Sequence, residues 1–325
     1  MLALWITVML TVVASGLVFS MRSETLAARN ALSLAQARAA ADGAVERTAF
    51  ELSRPRIADT WLPDGSPHTW QDGDATIVAS AVDEAARIDI NFANDALVKS
   101  MLAAQGVDDD RAAHIADAIA DWRDTDDLKR PNGAEEADYR AAGLKYAPSN
   151  GPFETVAEVG RVLGVTPDVY ARIAPLLTVY SHQPGINALT APRDVLLSLP
   201  NATADVVDTY LEQRAAALEA KQPVPPFPPA QGYASGAVPV WRIHAEATLP
   251  DGVTFAREAV LRPSADPRRP LIALAWLEAP RAPPQPTAVA QNSSTAPAAP
   301  VAAKSTSASG GMGFGSFMKS YGRSK

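Results

Sequence analysis

The chain has 325 residues, a net charge of −7 and no cysteine. That length allows about two domains, and the acidic balance argues against a phosphate-binding surface. The lack of cysteine removes disulfides, thiol nucleophiles and thiolate metal sites together, so a domain outside the cytoplasm must rely on its core or on a metal.

Residues Met1 to Met21 form an uncharged, overwhelmingly apolar run, interrupted only by Thr7, Thr11, Ser15, Gly16 and Ser20. At about 1.5 Å per residue it makes a helix of roughly 31 Å, enough to cross a hydrocarbon core of about 30 Å. A cleaved signal needs a charged n-region and an apolar stretch of only about 7–15 residues. A buried terminal helix, apolar all round, has no enclosing core. The run therefore reads as a transmembrane helix, with Met1, Trp5 and Met21 marking the anchor. Arg22, Glu24 and Arg29 are too mixed a flank to orient it by the positive-inside rule.

The segment after Arg22 has no proline until Pro55 and is rich in Ala, Leu, Arg and Glu, all strong helix formers. Leu26, Asn30, Leu34 and Ala37 or Ala41 keep helical spacing, as do Ala44, Thr48 and Leu52. The expectation is one helix of about 50 residues with an amphipathic second half over 22–54; the alternative is two helices with a break near Ser23.

Residues 54–74 are turn-rich, with Pro55, Pro63, Gly65, Pro67 and Gly73. Residues 75–90 read as one or two strands with Ile77, Ala79 and Ala81 on one face. From Asn91 to about Val179 the pattern is helical, and a second helical stretch ends before the prolines at 223–229. Alternation returns between 238 and 279, where Trp241, Ile243 and Ala245 share a face. After Pro280 the composition, rich in Pro, Ala, Ser and Thr, predicts a disordered tail over 281–325. A faint repeat links Ile90-Asn91 with Ile186-Asn187, each followed by an apolar helical stretch. Either the helical unit is duplicated, with each Asn capping a first turn, or two helices are capped independently.

Catalysis finds little support. The four histidines (His68, His114, His182 and His244) are scattered singly, with no metalloprotease or Ser-His-Asp arrangement. His114 suggests a structural hydrogen bond, with Asp110 or Asp117 nearby. Trp61, Trp70, Trp122, Trp241 and Trp276 read as core anchors. The remaining chemistry is an acidic cluster: Asp121, Asp124, Asp126, Asp127, Glu135, Glu136 and Asp138, beside Arg123, Lys129 and Arg130. Its close oxygen spacing in a turn-prone loop is what Ca²⁺ prefers, although the EF-hand pattern does not fit. On the residues alone, a solvated acidic loop satisfied by Arg and Lys is the simpler reading.

Several blocks carry a family resemblance: 89–102 (DINFANDALVKSML), the DWRD-x-DD run at 121–127, NGPF-x-x-x-x-E at 150–158, and 185–200 (GINALTAPRDVLLSLP). Over about residues 1–280 the chain resembles the minor pseudopilin K family of bacterial type II secretion. The resemblance implies an α+β fold: a long pilin-type helix on a small antiparallel sheet, with a large all-α domain inserted at 91–222 between sheet segments at 55–90 and 223–280. It implies a non-enzymatic subunit of the inner membrane, single pass and periplasmic. Its partners would be other minor pseudopilins in a tip complex, the pseudopilus and the secretion platform, and a prepilin peptidase and methylation would act on its N-terminus. It implies calcium in the helical domain, with Asp124, Asp126, Asp127 and Glu135 or Glu136 as ligands. Two departures stand out. No basic leader ending in Gly precedes Met1, so the leader was omitted or the start misassigned. Position five is Trp5, where most pilin-like subunits carry Glu, and no acid occurs before Glu24; a buried carboxylate without a partner is costly, and a subunit at the tip has no neighbour above to supply one.

The rival reading is a membrane-anchored helix-hairpin-helix DNA-binding protein. Such modules hold phosphates with backbone amides and nearby cations. Here Arg161, Gly164 and Arg172 are about all that is offered beside an acidic loop, so nucleic acid is not expected as a partner.

Overall fold

In the computed structural model the described residues are 1–54, 61–228 and 238–279. The expected tail at 281–325 lies outside them, as do parts of the boundaries at 55–60 and 229–237.

Helix α1 runs unbroken from Leu2 to Ser53, 52 residues, so there is no break near Ser23. Its first half is fully exposed, and an 18-residue window there has mean hydropathy 2.3. In its second half Ala37, Ala41, Ala44, Val45, Thr48 and Ala49 are buried. The buried stripe therefore starts later than the apolar spacing suggested, since Leu26 and Leu34 remain about half exposed.

The stripe lies on a five-stranded antiparallel sheet formed by β1 (His68–Asp72), β2 (Ala75–Asp83), β5 (Trp241–Thr248), β6 (Thr254–Pro263) and β7 (Leu271–Glu278), in that order. Small side chains on both layers let helix and sheet approach closely: Ala37, Ala41, Ala44 and Ala49 face Ala79, Ala81, Ala245, Ala247 and Ala259. Ile77, Ala79, Ala81, Trp241, Ile243 and Ala245 are all buried, as their alternation required. Strand β1 was missed within the turn-rich stretch, because only five residues pair there, between two glycine turns. One partly buried ion pair, Asp42 with Arg257 Nε at 2.6 Å, fixes α1 against β6.

Strands β2 and β5 pair in register to the last residue, Asp83 opposite Trp241, and the Glu84 N–H then donates to the Val240 carbonyl at 2.8 Å. Everything between is thus spliced into the turn of one β-hairpin. The insertion starts with a 3₁₀ turn at Glu84–Ala86 and a two-residue parallel pairing of β3 (Ile88–Asp89) with β4 (Leu177–Thr178). It then carries α2 (Asp95–Ala104), α3 (Asp109–Arg123), α4 (Glu136–Ala141), α5 (Pro167–Ile173), α6 (Arg193–Leu197) and α7 (Ala204–Glu219). Within the stretch from Asn91 to about Val179 that reads as helical, Val156–Arg161 is only a 3₁₀ segment. One continuous core runs through the insertion, from Ile88 and Met101 through Ile115, Tyr139 and Ile173 to Leu196 and Tyr210. This is the α+β pilin-like fold expected.

The repeated asparagines do not act as first-turn caps for α2 and α6. Asn94 caps α2 and Pro192 precedes α6. The Asn91 side chain bonds both backbone groups of Phe153. Asn187 donates to Asp83 Oδ2 at 2.8 Å and accepts from the Leu189 N–H. Both hold the insertion together by linking distant segments.

Candidate functional site: the acidic loop after α3

Helix α3 begins with Asp108 capping the Arg111 N–H and ends at Trp122-Arg123. Its last two turns carry two inward-facing acids that hold the following loop by its backbone. Asp117 accepts from the Asn132 N–H at 3.2 Å and from its side-chain amide at 3.0 Å. Asp121, fully buried, accepts from the N–H groups of Arg130 and Ala134, the latter at 2.9 Å. A Cβ at Gly133 would lie 1.9 Å from Asp121 Oδ2, so only glycine admits that carboxylate. Asp121 belongs to the acidic run in sequence but serves as a loop anchor.

The other acids divide. Glu136 is exposed and bound to Arg140 at 2.5 Å. Asp138 accepts from Lys129 Nζ at 2.7 Å and from the Glu135 N–H at 3.0 Å, which holds its carboxyl below the usual range. Asp126 Oδ1 accepts from the Leu128 N–H at 2.9 Å, and Asp127 Oδ1 from Asn150 Nδ2 at 2.8 Å. Asp124 and Glu135 remain. Asp124 Oδ1 and Glu135 Oε1 are buried without any hydrogen-bond partner, as is Asn150 Oδ1 from a loop 23 residues beyond Asp127. Burial raises the Asp124 carboxyl, with Asp126 adding to the effect. Burial pushes the Glu135 carboxyl up to about 7, reinforced by Asp121, Asp124, Asp127 and Asp126.

Buried oxygens without donors are costly. Here three of them, two carboxylate and one amide, adjoin a cluster of further carboxylates. Among the described residues no three His, Asp or Glu side chains converge as a metal set. The orphaned donors fit a hard cation in kind, because Ca²⁺ takes carboxylate and amide oxygens together. Of the predicted ligands, Asp124 and Glu135 each keep one buried oxygen without a partner while the other meets the Asp126 or Asp138 N–H, Asp126 and Asp127 have one oxygen each engaged, and Glu136 is held by Arg140. Asn150 was not foreseen; the only sequence signal was an Asn-Gly pair in a loop that reads as an ordinary turn.

Elsewhere two of the single histidines, His114 and His182, have structural surroundings, while His244 Nε2 is buried without a hydrogen-bond partner. His114 Nδ1 lies 2.9 Å from the Asn132 carbonyl, rather than on Asp110 or Asp117. His182 stacks on Phe92, and its N–H donates to buried Asp89 at 2.7 Å. Trp122 and Trp241 are core anchors, whereas Trp276 is 37% exposed on edge strand β7. Of the two cations of the candidate DNA hairpin, Arg172 is engaged internally and Arg161 is exposed. Arg172 binds Asp168 and the Gln105 carbonyl, and Arg111 binds the Gly164 carbonyl.

A long helix with an apolar first half, laid on an antiparallel sheet whose central hairpin carries a large helical insertion, is a pilin-like fold with an enlarged head. Residues 77–182 match the family model for type II secretion system (T2SS) protein K. Relatives described as type II secretion system protein K are 33% identical over 134 residues in Pectobacterium carotovorum subsp. carotovorum and 26% over 162 residues in Klebsiella pneumoniae. These matches cover 38% and 45% of the chain, and 41% and 49% of the relatives, so the chain spans less than half of their length. Among solved structures it is similar in fold to a chain of the GspK-GspI-GspJ complex from the enterotoxigenic Escherichia coli type 2 secretion system. The TM-score is 0.55 at 15% identity, over 80% of this chain and 99% of that one. Over residues 77–182 the chain is thus similar to the type II secretion protein K family, the family its sequence resembles.

Proposed function

We propose that this chain is a non-enzymatic minor pseudopilin that joins other minor pseudopilins in a tip complex and ends the pseudopilus. The observation that carries this reading is the insertion of residues 84–240 at a single hairpin turn of a pilin-type unit. A helical filament grows through open, non-self-closing interfaces. A subunit with the common helix and sheet can enter such a stack, while a head of this bulk obstructs the position above it. The solved relative's assembly with GspI and GspJ supports minor pseudopilins as partners. The apolar half of α1, with no carboxylate before Glu24, supports an inner-membrane anchor that carries the globule in the periplasm, where the platform and the fibre base meet it.

The test follows from the register. Replacing residues 84–240 with an Asn-Gly turn would reconnect Asp83 to its cross-strand partner Trp241. Membrane insertion should persist, while cross-linking to the other minor pseudopilins at the tip, or control of fibre length, should be lost. Normal tip assembly by a folded variant would refute the capping role.

The acidic loop is proposed as a Ca²⁺ site held by Asp124 and Glu135, with Asp126 and Asp127 beside them. The orphaned buried oxygens support it, and the ion's role there is to neutralise the cluster and stiffen the head. Bound calcium stabilises by mass action, about 2.7 kcal/mol at a hundred times Kd. Equal melting temperatures in chelator and in millimolar Ca²⁺ would remove the site.

A further inference from the structure

Strand β7 closes one edge of the sheet, and among the described residues no strand pairs with its outer side. Natural edges are kept from pairing by shortness, by Lys or Pro, or by bulges. The opposite edge, β1, is five residues long and carries His68, Gln71 and Asp72. By contrast, β7 is apolar from Leu271 up to its terminal Glu278, has neither Lys nor Pro, and shows a single register shift, opposite Val260 and Leu261. Both of its faces are apolar. Trp276 lies opposite Ala259 on the α1 side, and Leu277, 55% exposed, lies opposite Glu258 on the other. Backbone direction follows from the two ends. The Ala279 N–H donates to the Ala256 carbonyl at 3.0 Å, and the Ser264 N–H to the Pro270 carbonyl at 2.8 Å. Alternation from these points turns the backbone groups of Leu277, Ala275 and Ile272 towards β6, and those of Glu278, Trp276 and Leu271 outwards, with the change of phase at the bulge.

We propose that β7 is a docking edge for one extended strand of another polypeptide, added antiparallel, with a Lys or Arg at its leading end. The outward N–H and C=O groups call for a strand, since main-chain pairing supplies the affinity in such additions. The charges give its direction. Arg268 and Arg269 precede β7, and Glu278 ends it. Beside Glu278 lies a cavity of about 320 Å³ lined by Leu34, Phe255 and Ala256 and by Glu246 and Glu278. An antiparallel strand starts there, where a long basic side chain lays its stem on the apolar lining and its head on the acids. Arg38 already reaches Glu278 at 3.6 Å, but that pair is exposed and so worth little against a new partner. A second copy of this chain is not the occupant. Antiparallel pairing of two β7 strands places a two-fold axis perpendicular to the sheet, and α1 lies along the sheet. The two α1 helices would then point in opposite directions, which two anchors in one membrane cannot do. The exclusion of a second copy rests on the membrane-anchor part of the reading above; the docking edge itself does not depend on the capping role or on calcium.

The experiment uses the full chain in detergent and a synthetic strand, Lys-Val-Thr-Val-Thr-Val-Thr-Glu with a C-terminal fluorophore, read by anisotropy. The peptide should bind and slow amide exchange at Trp276 and Glu278, whose N–H groups face outwards. A peptide with its end charges exchanged, and the Glu278→Lys variant, should each bind about fivefold more weakly, the scale of one or two exposed ion pairs, and combining the two should recover the loss. Trp276→Pro removes an outward N–H without touching the ladder to β6 and should weaken binding about tenfold or more, whereas Trp276→Phe should hold it within a few-fold. Where Trp276→Pro does not fold, Glu278→Lys carries the test. No binding by the parent chain, or binding indifferent to both variants and to the exchanged charges, overturns the docking edge. Leu277→Cys, the lone thiol of a cysteine-free chain, should form no disulfide dimer when oxidised in membranes; rapid dimer formation would put a second copy on the edge and overturn the proposal. Fractionation tests the anchor separately: a chain that stays in solution without detergent overturns the membrane reading, whereas lost peptide binding overturns this one.

Discussion

The junction between sheet and inserted head depends on Glu84. Its carboxylate is completely buried, accepts from Arg242 Nε at 2.6 Å and from the Thr178 hydroxyl, and lies 3.6 Å from Arg87 NH1. Arg242 in turn binds Glu258 at 2.6 Å, so one network joins β5, β6, the first turn of the insertion and β4. Replacing Glu84 with Ala leaves the Thr178 hydroxyl without its acceptor and Arg242 with one partner of two. Breaking a buried pair costs about 3–5 kcal/mol. Because Glu258 remains and the Arg242 side chain is 20% exposed, the lower end applies, about 3 kcal/mol. For a folded unit of this size that lowers the melting temperature by roughly 6–12 °C. Glu84→Gln keeps an acceptor for Thr178 and should cost about half as much. Glu84→Met with Arg242→Met, which removes both charges, should recover part of the loss, since apolar replacement of a buried pair is often neutral. Thermal melts of the full chain in detergent give the comparison. A shift below about 2 °C for Glu84→Ala would show that the head is held by its apolar contacts alone and would refute the reasoning.

Three further outcomes follow. Gly133→Ala must displace the Asp121 carboxylate, since the new Cβ would lie 1.9 Å from Oδ2; a loss of about 1–3 kcal/mol in urea titration is expected from the unsatisfied loop amides, and no loss would mean that Asp121 does not anchor the loop. Glu135→Gln should act with opposite signs at about pH 8: stabilising in chelator, where it removes a carboxylate that burial and four acids oppose, and destabilising relative to the parent in millimolar Ca²⁺. Equal effects in both conditions would separate Glu135 from the ion. Asp83 and Asp89 are both raised, by burial first, against opposing hydrogen bonds from Asn187 and Ala85 and from His182 and Asn91. A raised acid favours folding fully below its unfolded value of 3.8, and that contribution is lost as pH climbs through the raised folded value. Stability measured across that range should fall less steeply in Asp83→Asn and Asp89→Asn variants; an unaltered slope would exclude these two groups as its source.

Local pattern was enough for much of the fold. The length and hydropathy of 1–21, the unbroken run of helix formers to Ser53, and the alternation around Ile77 and Ile243 each encode a backbone state and a buried face, because period and burial are read one residue at a time. The family motifs carried the rest of the class, and the acidic run pointed to oxygen chemistry. Tertiary structure alone decided which acids are spent and which are free. Asp121 and Asp117 look like members of the cluster, yet they hold loop amides; Glu136 is taken by Arg140 one turn along its own helix. Asn150, 23 residues from Asp127, enters the site only because the turn at Gly151 folds back on Trp122. The pairing of Asp83 with Trp241 across 157 intervening residues, which makes the head an insertion into a single hairpin, is likewise a contact of long range. Such contacts are set by the packing of distant segments against one another, and no local spacing in the sequence records them.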